Sequence, residues 1–230
     1  MSSRPPKKRT YHEAGQTLTL FDRGTHHELM LGHVPILTSA ALSTERAFGR
    51  LAGELRVSAR PRVLVGGLGF GSTLAGVLDV VGDGEVIVVE KLKTVVRLVR
   101  GELAHLAQGA LDDARVTLVR DDVAAVIARE RGLDVILLDV DNGPEWASFY
   151  ENARLYDAAG LRAAREALCP GGAYAVWSGY PADAFLARLA RAGFEPSRVA
   201  LHERGRVQAR AYVGVKAPAA PPARPRAARR

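Results

Sequence analysis

Short apolar runs rich in β-branched residues alternate with helical patterns through the middle of the chain, and this alternation limits the fold more than any other feature. The runs that predict strands lie at residues 62–66, 85–90, 115–120 and 134–139, and helical patterns follow at 73–81, 94–108 and 122–131. Strands this continuously apolar are typical of parallel sheets that are covered by helices on both faces. The sequence therefore predicts repeated βα units in one doubly wound sheet.

The C-terminal part of the chain departs from the repeated βα pattern. A helix at 158–168, a strand at 173–177, a helix at 182–192 and strands near 198–202 and 209–215 are predicted. Too few residues separate the last two strands for a helical crossover, so they predict an antiparallel pair. The predicted class is α/β: a doubly wound, mostly parallel, seven-stranded sheet with an antiparallel C-terminal edge hairpin and a short N-terminal cap.

The positive charge of the chain is concentrated at its two ends. The 230 residues hold 32 Lys and Arg against 25 Asp and Glu, a formal net charge of +7. Residues 1–10 and 217–230 each contain four basic residues and no acid, and without them 24 basic residues face 25 acidic ones. The body of the chain is therefore nearly neutral, and the net positive charge of the chain comes from its two ends.

Composition and pattern together predict four segments. They are a basic disordered tail at 1–16, an N-terminal cap at 17–60, the α/β domain at 61–216 and a disordered tail of Pro, Ala and Arg at 217–230. Within the cap, short strands are predicted at 18–21 and 28–31 and a helix at 44–55. We expect the cap to pack on the α/β domain and not to fold independently.

Cysteine content and hydropathy favour a cytoplasmic protein. Cys169 is the one cysteine in the sequence, which excludes an intramolecular disulfide framework. No apolar run reaches the roughly 18 residues that a membrane helix needs, and the basic N-terminus lacks the apolar segment of a secretory signal. The histidines and aspartates show no recognisable metal-ligand spacing, so no metal is expected.

Four glycines, Gly66, Gly67, Gly69 and Gly71, lie between the first predicted strand of the α/β domain and its helix; we call them the glycine loop. Bare backbone there allows a nucleoside to approach closely, although a tight turn without a ligand would also use glycine. Glu90 ends the next strand, 24 residues after Gly66, where a carboxylate can accept both hydroxyls of a ribose. The GGLGFG run is not a clean G-x-G-x-x-G, so a nicotinamide dinucleotide is the less favoured ligand.

Acidic residues also follow the third and fourth predicted strands. Asp121 or Asp122 could accept a hydrogen bond from an adenine amino group, while Asp122 could instead cap the next helix. Asp139 and Asp141 leave the fourth strand just before an Asn-Gly-Pro turn. Two carboxylates there suit a cationic amine, because they attract it and one of them can take its proton. The alternative is an ordinary acidic loop.

On these residues the sequence resembles the spermidine synthase (polyamine aminopropyltransferase) family, in its compact bacterial branch. The similarity runs from about Leu18 to Val215. It is strongest at residues 63–73, 88–90, 121–122 and 136–144. The resemblance implies the class I Rossmann-like fold of enzymes that use S-adenosylmethionine, with decarboxylated S-adenosylmethionine or S-adenosylmethionine as co-substrate.

The resemblance also implies roles for the candidate residues. The glycine loop would surround the co-substrate, Glu90 would hold its ribose, and Asp121 or Asp122 would contact the adenine. Asp139 matches the catalytic aspartate that deprotonates the attacking amine, and Asp141 resembles a second aspartate that anchors the polyamine.

Two histidines complete the resemblance. His26-His27-Glu28 is similar to a Tyr-His-Glu segment of the family. On that reading His27 would lie near the co-substrate or the substrate, and His26 would stand where a tyrosine orients the amine. Adjacent histidines are otherwise ordinary surface residues.

The leading hypothesis is a transferase that moves an aminopropyl group from decarboxylated S-adenosylmethionine to a small cationic amine such as putrescine and releases methylthioadenosine. An S-adenosylmethionine-dependent methyltransferase on the same fold is the alternative enzyme. A non-catalytic nucleoside-binding protein that uses its basic tails on nucleic acid is an alternative from another class. The sequence leaves open which amine is accepted and whether the chain forms a homodimer, and no membrane partner is expected.

Overall fold

The structure of the protein, a computed structural model, describes residues 7–13, 15–40, 42–140, 142–145 and 150–219. Within these ranges the chain forms a four-stranded antiparallel sheet and a seven-stranded mixed sheet. The mixed sheet is covered on both faces, and the candidate site lies along the edge where its parallel strands end.

The N-terminal sheet is an up-and-down array of four strands. These are β1 (Lys7–Glu13), β2 (Gln16–Asp22), β3 (His27–Leu31) and β4 (Val34–Thr38), paired in chain order. Each connection contains a glycine in the left-handed conformation, namely Gly15, Gly24 and Gly32, because tight antiparallel turns need positive φ. Leu18 and Leu20 alternate with threonines and are buried in the main core, so one face of this sheet packs on the rest of the molecule.

The presence of β1 corrects the prediction of a disordered tail at residues 1–16. All seven residues of β1 pair with β2. Arg9 forms an ion pair with Glu102, and the Tyr11 hydroxyl donates a hydrogen bond to the same carboxylate at 3.1 Å. Charged composition predicts disorder, whereas pairing with β2 and contacts with Glu102, which is remote in sequence, order this strand. Residues 1–6 and 220–230 lie outside the described residues.

The cap contains more regular structure than the sequence predicts. β2 and β3 form where short strands were expected, and β4 is additional. The expected helix at 44–55 is divided at Leu51 into α1 (Ser43–Arg50) and α2 (Ala52–Leu55). The cap packs on the α/β domain through α1, whose Phe48 is fully buried.

The mixed sheet has the predicted class. Its strands are β5 (Arg62–Gly66), β6 (Glu85–Val89), β7 (Val116–Val119), β8 (Leu133–Leu138), β9 (Leu168–Ser178), β10 (Phe194–Glu203) and β11 (Arg206–Lys216). Their order across the sheet is β10-β11-β9-β8-β5-β6-β7. The five strands from β9 to β7 are parallel, and β11 is antiparallel to both β9 and β10. The doubly wound sheet and its antiparallel edge hairpin are confirmed.

The helices mostly follow the predicted pattern. They are α3 (Ser72–Leu78), α4 (Lys93–Arg100), α5 (Ala104–Ala107), α6 (Val123–Arg129), α7 (Ala158–Ala167) and α8 (Ala184–Arg191), with 3-10 helices at Ala110–Asp112 and Tyr150–Leu155. The helix predicted at 94–108 is divided at Gly101, and β9 already begins at Leu168, with the Pro-Gly-Gly run inside an irregularity of its pairing with β8.

The central strands are buried on both faces. Val135 and Leu137 of β8 join the core cluster that includes Phe48, while Ile136 and Leu138 join the cluster on the opposite face. β5 lies between β6 and β8, so the strand order reverses beside it. In open α/β sheets, the crevice at such a reversal, outside the carboxyl ends of the strands, is where ligands bind. Among the described residues no helix is long and apolar enough to span a membrane.

Candidate functional site

The carboxyl ends of β7, β6, β5 and β8 form a continuous row of backbone hydrogen bonds. The amide of Glu90 donates to Val119 O at 3.0 Å, and that of Gly67 donates to Val89 O at 2.9 Å. The amide of Asp139 donates to the carbonyl oxygen of Gly66 at 2.8 Å. The structure thus brings the glycine loop, Glu90 and Asp139 together at one edge, as the sequence predicts.

The glycine loop is shaped by the packing of the protein itself. Gly67 and Gly71 have φ of 89° and 84°, in the left-handed region. A Cβ at Gly67 would lie 2.3 Å from the carbonyl oxygen of Asp139, and one at Gly71 would lie 2.5 Å from the Cβ of Ala107. These two glycines are therefore required whether or not a ligand binds.

Gly69 differs, because the space beside it is open. A Cβ there would contact only the side chain of Leu37, at 3.6 Å. Leu68 and Phe70 on either side are buried in the core, which holds the loop down. Gly69 is consequently the point of the loop with open space beside its backbone.

Glu90 is buried at the end of β6 and supports the loop. One carboxylate oxygen accepts the Leu68 amide at 3.1 Å and the other accepts the Leu92 amide at 2.8 Å. Burial raises the pKa of Glu90, opposed by the hydrogen bonds from Leu92, Leu68 and Lys91. These three amides occupy three of the roughly four lone-pair positions of the carboxylate, so one position is left to accept a hydroxyl group of a ribose.

Glu13 of β1 also reaches this region, which sequence reasoning missed. Its carboxylate accepts the Lys93 and Thr94 amides at 2.6 and 2.9 Å and so caps the start of α4. Burial opposes the ionisation of Glu13, yet the hydrogen bonds from Thr94 and Lys93 hold its pKa below the usual range. A cleft of about 750 Å³ opens beside it, lined by Tyr11, His12, Glu13, Lys93, Thr94 and Arg97.

Asp121 and Asp122 are both engaged with the protein. Asp122 is the N-cap of α6 and accepts the amides of the second and third helical residues, so the capping alternative is observed. It also pairs with Arg154 at 2.5 Å. Asp121 pairs with Arg129 at 2.6 Å, and this hydrogen bond holds its pKa below the usual range. A contact of either residue with adenine remains a prediction.

Asp139 follows the last residue of β8 and is partly buried. Its Oδ2 receives a hydrogen bond from the Thr73 hydroxyl at 2.5 Å. Burial raises the pKa of Asp139 to about 6, and the Thr73 hydrogen bond opposes this rise. A carboxylate of this kind is ionised near neutral pH and is a stronger base than an ordinary aspartate.

Glu45 of α1 faces Asp139, and sequence reasoning missed it. Burial, and then the charge of Asp139, raise the pKa of Glu45 well above its usual range. Two glycines bring α1 this close, because a Cβ at Gly49 would lie 2.1 Å from Thr73 O and one at Gly76 would lie 2.2 Å from Arg46 O. Glycines at facing helical positions are the one sequence signal that could have indicated this crossing.

The turn after Asp139 is anchored on the end of β9. Asp141 lies outside the described residues, so its predicted role stays a prediction. Gly143 packs against Ser178 so closely that a Cβ would lie 2.0 Å from Ser178 Oγ. The Gly179 amide donates to Asn142 O at 3.2 Å. The indole nitrogen of Trp177, on the same strand, is buried and has no hydrogen-bond partner among the described residues.

The two histidines lie in the N-terminal sheet. His26 contacts Glu28 at 3.4 Å and Thr25 at 3.1 Å. The ring of His27 lies 6.2 Å from that of His105 on α5, and its amide donates to Ser39. None of these contacts involves Asp139 or the glycine loop, so a role in the site stays a prediction. No group of three or more metal-ligating side chains occurs within the described ranges.

Sequence comparisons point to one enzyme family. No protein-family model matches the chain. Polyamine aminopropyltransferase 1 of Pseudomonas aeruginosa is 34% identical over 163 residues, which are 70% of this chain and 48% of that protein. Polyamine aminopropyltransferase 2 of Caldanaerobacter subterraneus is 39% identical over 119 residues, 47% of this chain and 38% of that protein. The polyamine aminopropyltransferase of Aeropyrum pernix is 32% identical over 119 residues, 49% of this chain and 36% of that protein.

Solved spermidine synthases share the fold. The enzyme of Thermotoga maritima gives a TM-score of 0.73 at 18% identity, with 90% of this chain and 72% of that chain covered. A spermidine synthase in complex with the transition-state analogue AdoDATO gives 0.72 at 17% identity, with 90% and 71% covered.

These comparisons confirm the resemblance to the spermidine synthase family and the Rossmann-like fold that it implies. The chain aligns with less than half the length of each curated relative. The relatives' activity is therefore a hypothesis for this chain.

Proposed function

We propose that this chain transfers an aminopropyl group from decarboxylated S-adenosylmethionine to a small diamine of the putrescine class. The substrate ammonium first gives a proton to a base, and its nitrogen then attacks the carbon beside the sulfonium, so that a C–N bond forms and the C–S bond breaks. The bonding electrons return to sulfur, which leaves as neutral methylthioadenosine, and the positive charge passes to the newly alkylated nitrogen. The observation that carries the proposal is the partly buried Asp139 beside the glycine loop, in a chain related to polyamine aminopropyltransferases.

Asp139 suits the role of the base. An alkylammonium has a pKa of about 10, so it must lose a proton before its nitrogen can attack. Raising the pKa of Asp139 from 3.8 to about 6 narrows the gap to the amine. Two pKa units correspond to roughly 3 kcal/mol, by which the uphill proton transfer becomes easier. The ionised carboxylate also attracts the cationic substrate.

The opposite half of the edge supports nucleoside binding. Open space beside Gly69 admits the ligand, and Glu90 keeps one acceptor position for a ribose hydroxyl. Asp121 and Asp122 remain alternative candidates for the adenine, because an arginine pairs with each of them. Anchoring of the amine by Asp141, orientation by His26 and His27, formation of a homodimer, and nucleic-acid binding by the basic ends remain predictions.

Product analysis tests the proposal. Purified protein is incubated with decarboxylated S-adenosylmethionine and putrescine, and separately with S-adenosylmethionine and putrescine. We expect methylthioadenosine and spermidine from the first mixture only. S-adenosylhomocysteine from the second mixture, with none of the first products, would contradict the proposal and support a methyltransferase.

A variant pair on one strand links the activity to the site. Asp139→Asn should abolish product formation. Asp134→Asn is the matched control, because Asp134 is a buried aspartate at the other end of β8 that accepts amides of Val57, Ser58 and Arg62. This control should lose stability and keep the reaction.

A further inference from the structure

Two adjacent hydroxyl side chains begin α3, and both face backbone carbonyls of α1 or its N-cap. Ser72 Oγ donates to Leu42 O at 2.8 Å, and Thr73 Oγ1 lies 3.2 Å from Glu45 O. Both side chains are buried, at 5% and 2% exposure. Only Thr73 also contacts Asp139, at 2.5 Å from Oδ2. The pair therefore shares a structural environment and differs in one contact with the candidate base.

The contacts of Thr73 can be satisfied together in only one protonation state. A hydroxyl carries one hydrogen and two lone pairs. When Asp139 is ionised, its carboxylate and the carbonyl of Glu45 are both acceptors, and the hydroxyl can donate to one of them. When Asp139 is protonated, it can donate to Thr73 Oγ1, and Thr73 can then donate to Glu45.

We propose that Thr73 is a positioning residue for the base, which holds Oδ2 of Asp139 before and after the proton is taken and leaves Oδ1 for the substrate ammonium. This inference rests on the proposed function. The Thr73 oxygen stays in place and only its hydrogen turns from Asp139 to Glu45, so no heavier atom of the site needs to move when the proton arrives. Preorganisation of this kind lowers the barrier of a proton transfer.

Other charged groups around Asp139 do not compete for this role. From α1, Glu45 is the titratable group that acts on Asp139 in the part of the chain that the structure describes. The neighbouring Arg46 and Arg50 are turned to Asp79, at 2.9 Å each. Burial, and then the charge of Asp139, raise the pKa of Glu45 well above its usual range, so burial favours the neutral form of this second acid.

Removal of the Thr73 hydroxyl has a defined effect. The hydrogen bond that Thr73 donates to the ionised carboxylate is charge-assisted and stronger than the neutral hydrogen bonds of the protonated form, so its loss raises the pKa of Asp139 further. Thr73→Val preserves the shape of the side chain. In this variant the midpoint of the acid limb in the pH profile of kcat/KM should move upward by about 0.7 pH unit. At pH 7 kcat should fall about 10-fold, with the KM for the nucleoside unchanged.

The matched variants separate positioning from packing. Thr73→Ser restores a hydroxyl and should return the acid limb and kcat toward the wild type. Ser72→Ala removes the neighbouring hydrogen bond to Leu42 and should lower Tm without moving the limb. An unmoved limb in Thr73→Val, or an equal movement in Ser72→Ala, would overturn the inference.

A titration without turnover makes the inference independent of the reaction. The ¹³C resonance of the Asp139 carboxyl is assigned by its loss in Asp139→Asn and followed against pH. Its midpoint should rise in Thr73→Val and stay in place in Ser72→Ala. If the wild type releases no methylthioadenosine, the proposed function fails, yet this titration still decides whether Thr73 controls Asp139.

Discussion

Two carboxylates on either side of β5 are held in different ways. Glu90, at the end of β6, receives a backbone amide on each oxygen. Asp139, at the end of β8, receives one side-chain hydroxyl and faces a second carboxyl group, Glu45. We call these two places the nucleoside edge and the amine edge.

This difference suits the two carboxylates to different tasks: Glu90 to holding a ligand, and Asp139 to accepting a proton. Fixed backbone donors make Glu90 a rigid acceptor and oppose the rise that burial gives its pKa. At the amine edge the single hydroxyl offsets burial only in part, and the pKa of Asp139 stays near 6. Two acids whose surroundings differ in this way are suited to different roles in one reaction.

The two edges meet at Gly67, and substitution there should disturb both. In Gly67→Ala the new Cβ would lie 2.3 Å from the carbonyl oxygen of Asp139, on a backbone with φ of 89°. We expect a loss of about 3 to 5 kcal/mol in the free energy of unfolding, measured by urea denaturation. Gly82→Ala is the control, since Gly82 has φ of 55° and open space around it, and should cost about 1 kcal/mol. Equal losses would show that the contact with Asp139 is not close.

Glu90→Gln should disturb the nucleoside edge and leave the amine edge intact. The amide can accept one of the two backbone hydrogens and leaves the other without its acceptor. The affinity for methylthioadenosine, measured by calorimetry, should fall about 10- to 100-fold. Glu85→Gln, on an exposed residue at the start of the same strand, should leave the affinity unchanged. Unaltered binding in Glu90→Gln would remove Glu90 from the nucleoside edge.

The sequence predicts the nucleoside edge well, because its signals are local. An apolar run that ends in an acid indicates both the strand and the place of Glu90, and the same logic places Asp139. Parallel strands bring these ends together without any knowledge of side-chain contacts.

The amine edge depends on contacts that no local pattern shows. Glu45 and Thr73 reach Asp139 only because α1 crosses α3 at Gly49 and Gly76. The charged composition of β1 suggests disorder, whereas pairing with β2 and contacts with the remote residues Glu102, Lys93 and Thr94 hold it in place. The similarity of His26-His27-Glu28 to a family segment indicated site residues, whereas the structure gives them contacts within and beside the N-terminal sheet.

Asp139→Asn should stabilise the protein in a way that depends on pH. The folded pKa of about 6 lies above the ordinary 3.8, so the buried charge destabilises the fold fully above pH 6 and not below about pH 4. At pH 8 we expect the variant to gain roughly 2 kcal/mol, seen as a rise in Tm of about 4 to 6 °C. At pH 4 the gain should be nearly absent. An equal gain at both pH values would contradict the raised pKa.

Glu45→Gln should give the smallest change and sharpen the description of the amine edge. Burial, and then the charge of Asp139, raise the pKa of Glu45 well above 4.5. In a ¹³C carboxyl titration the variant should lose a step that lies well above pH 4.5 and keep the step of Asp139 within about half a pH unit. Loss of a step near pH 4.5 instead would show that Glu45 does not face Asp139.

The most direct test compares turnover with nucleoside binding in Asp139→Asn. We expect kcat for methylthioadenosine release to fall by at least about 100-fold, with the affinity for methylthioadenosine unchanged from the wild type. Turnover within tenfold of the wild type, or loss of nucleoside binding together with activity, would contradict the division of the site into two edges.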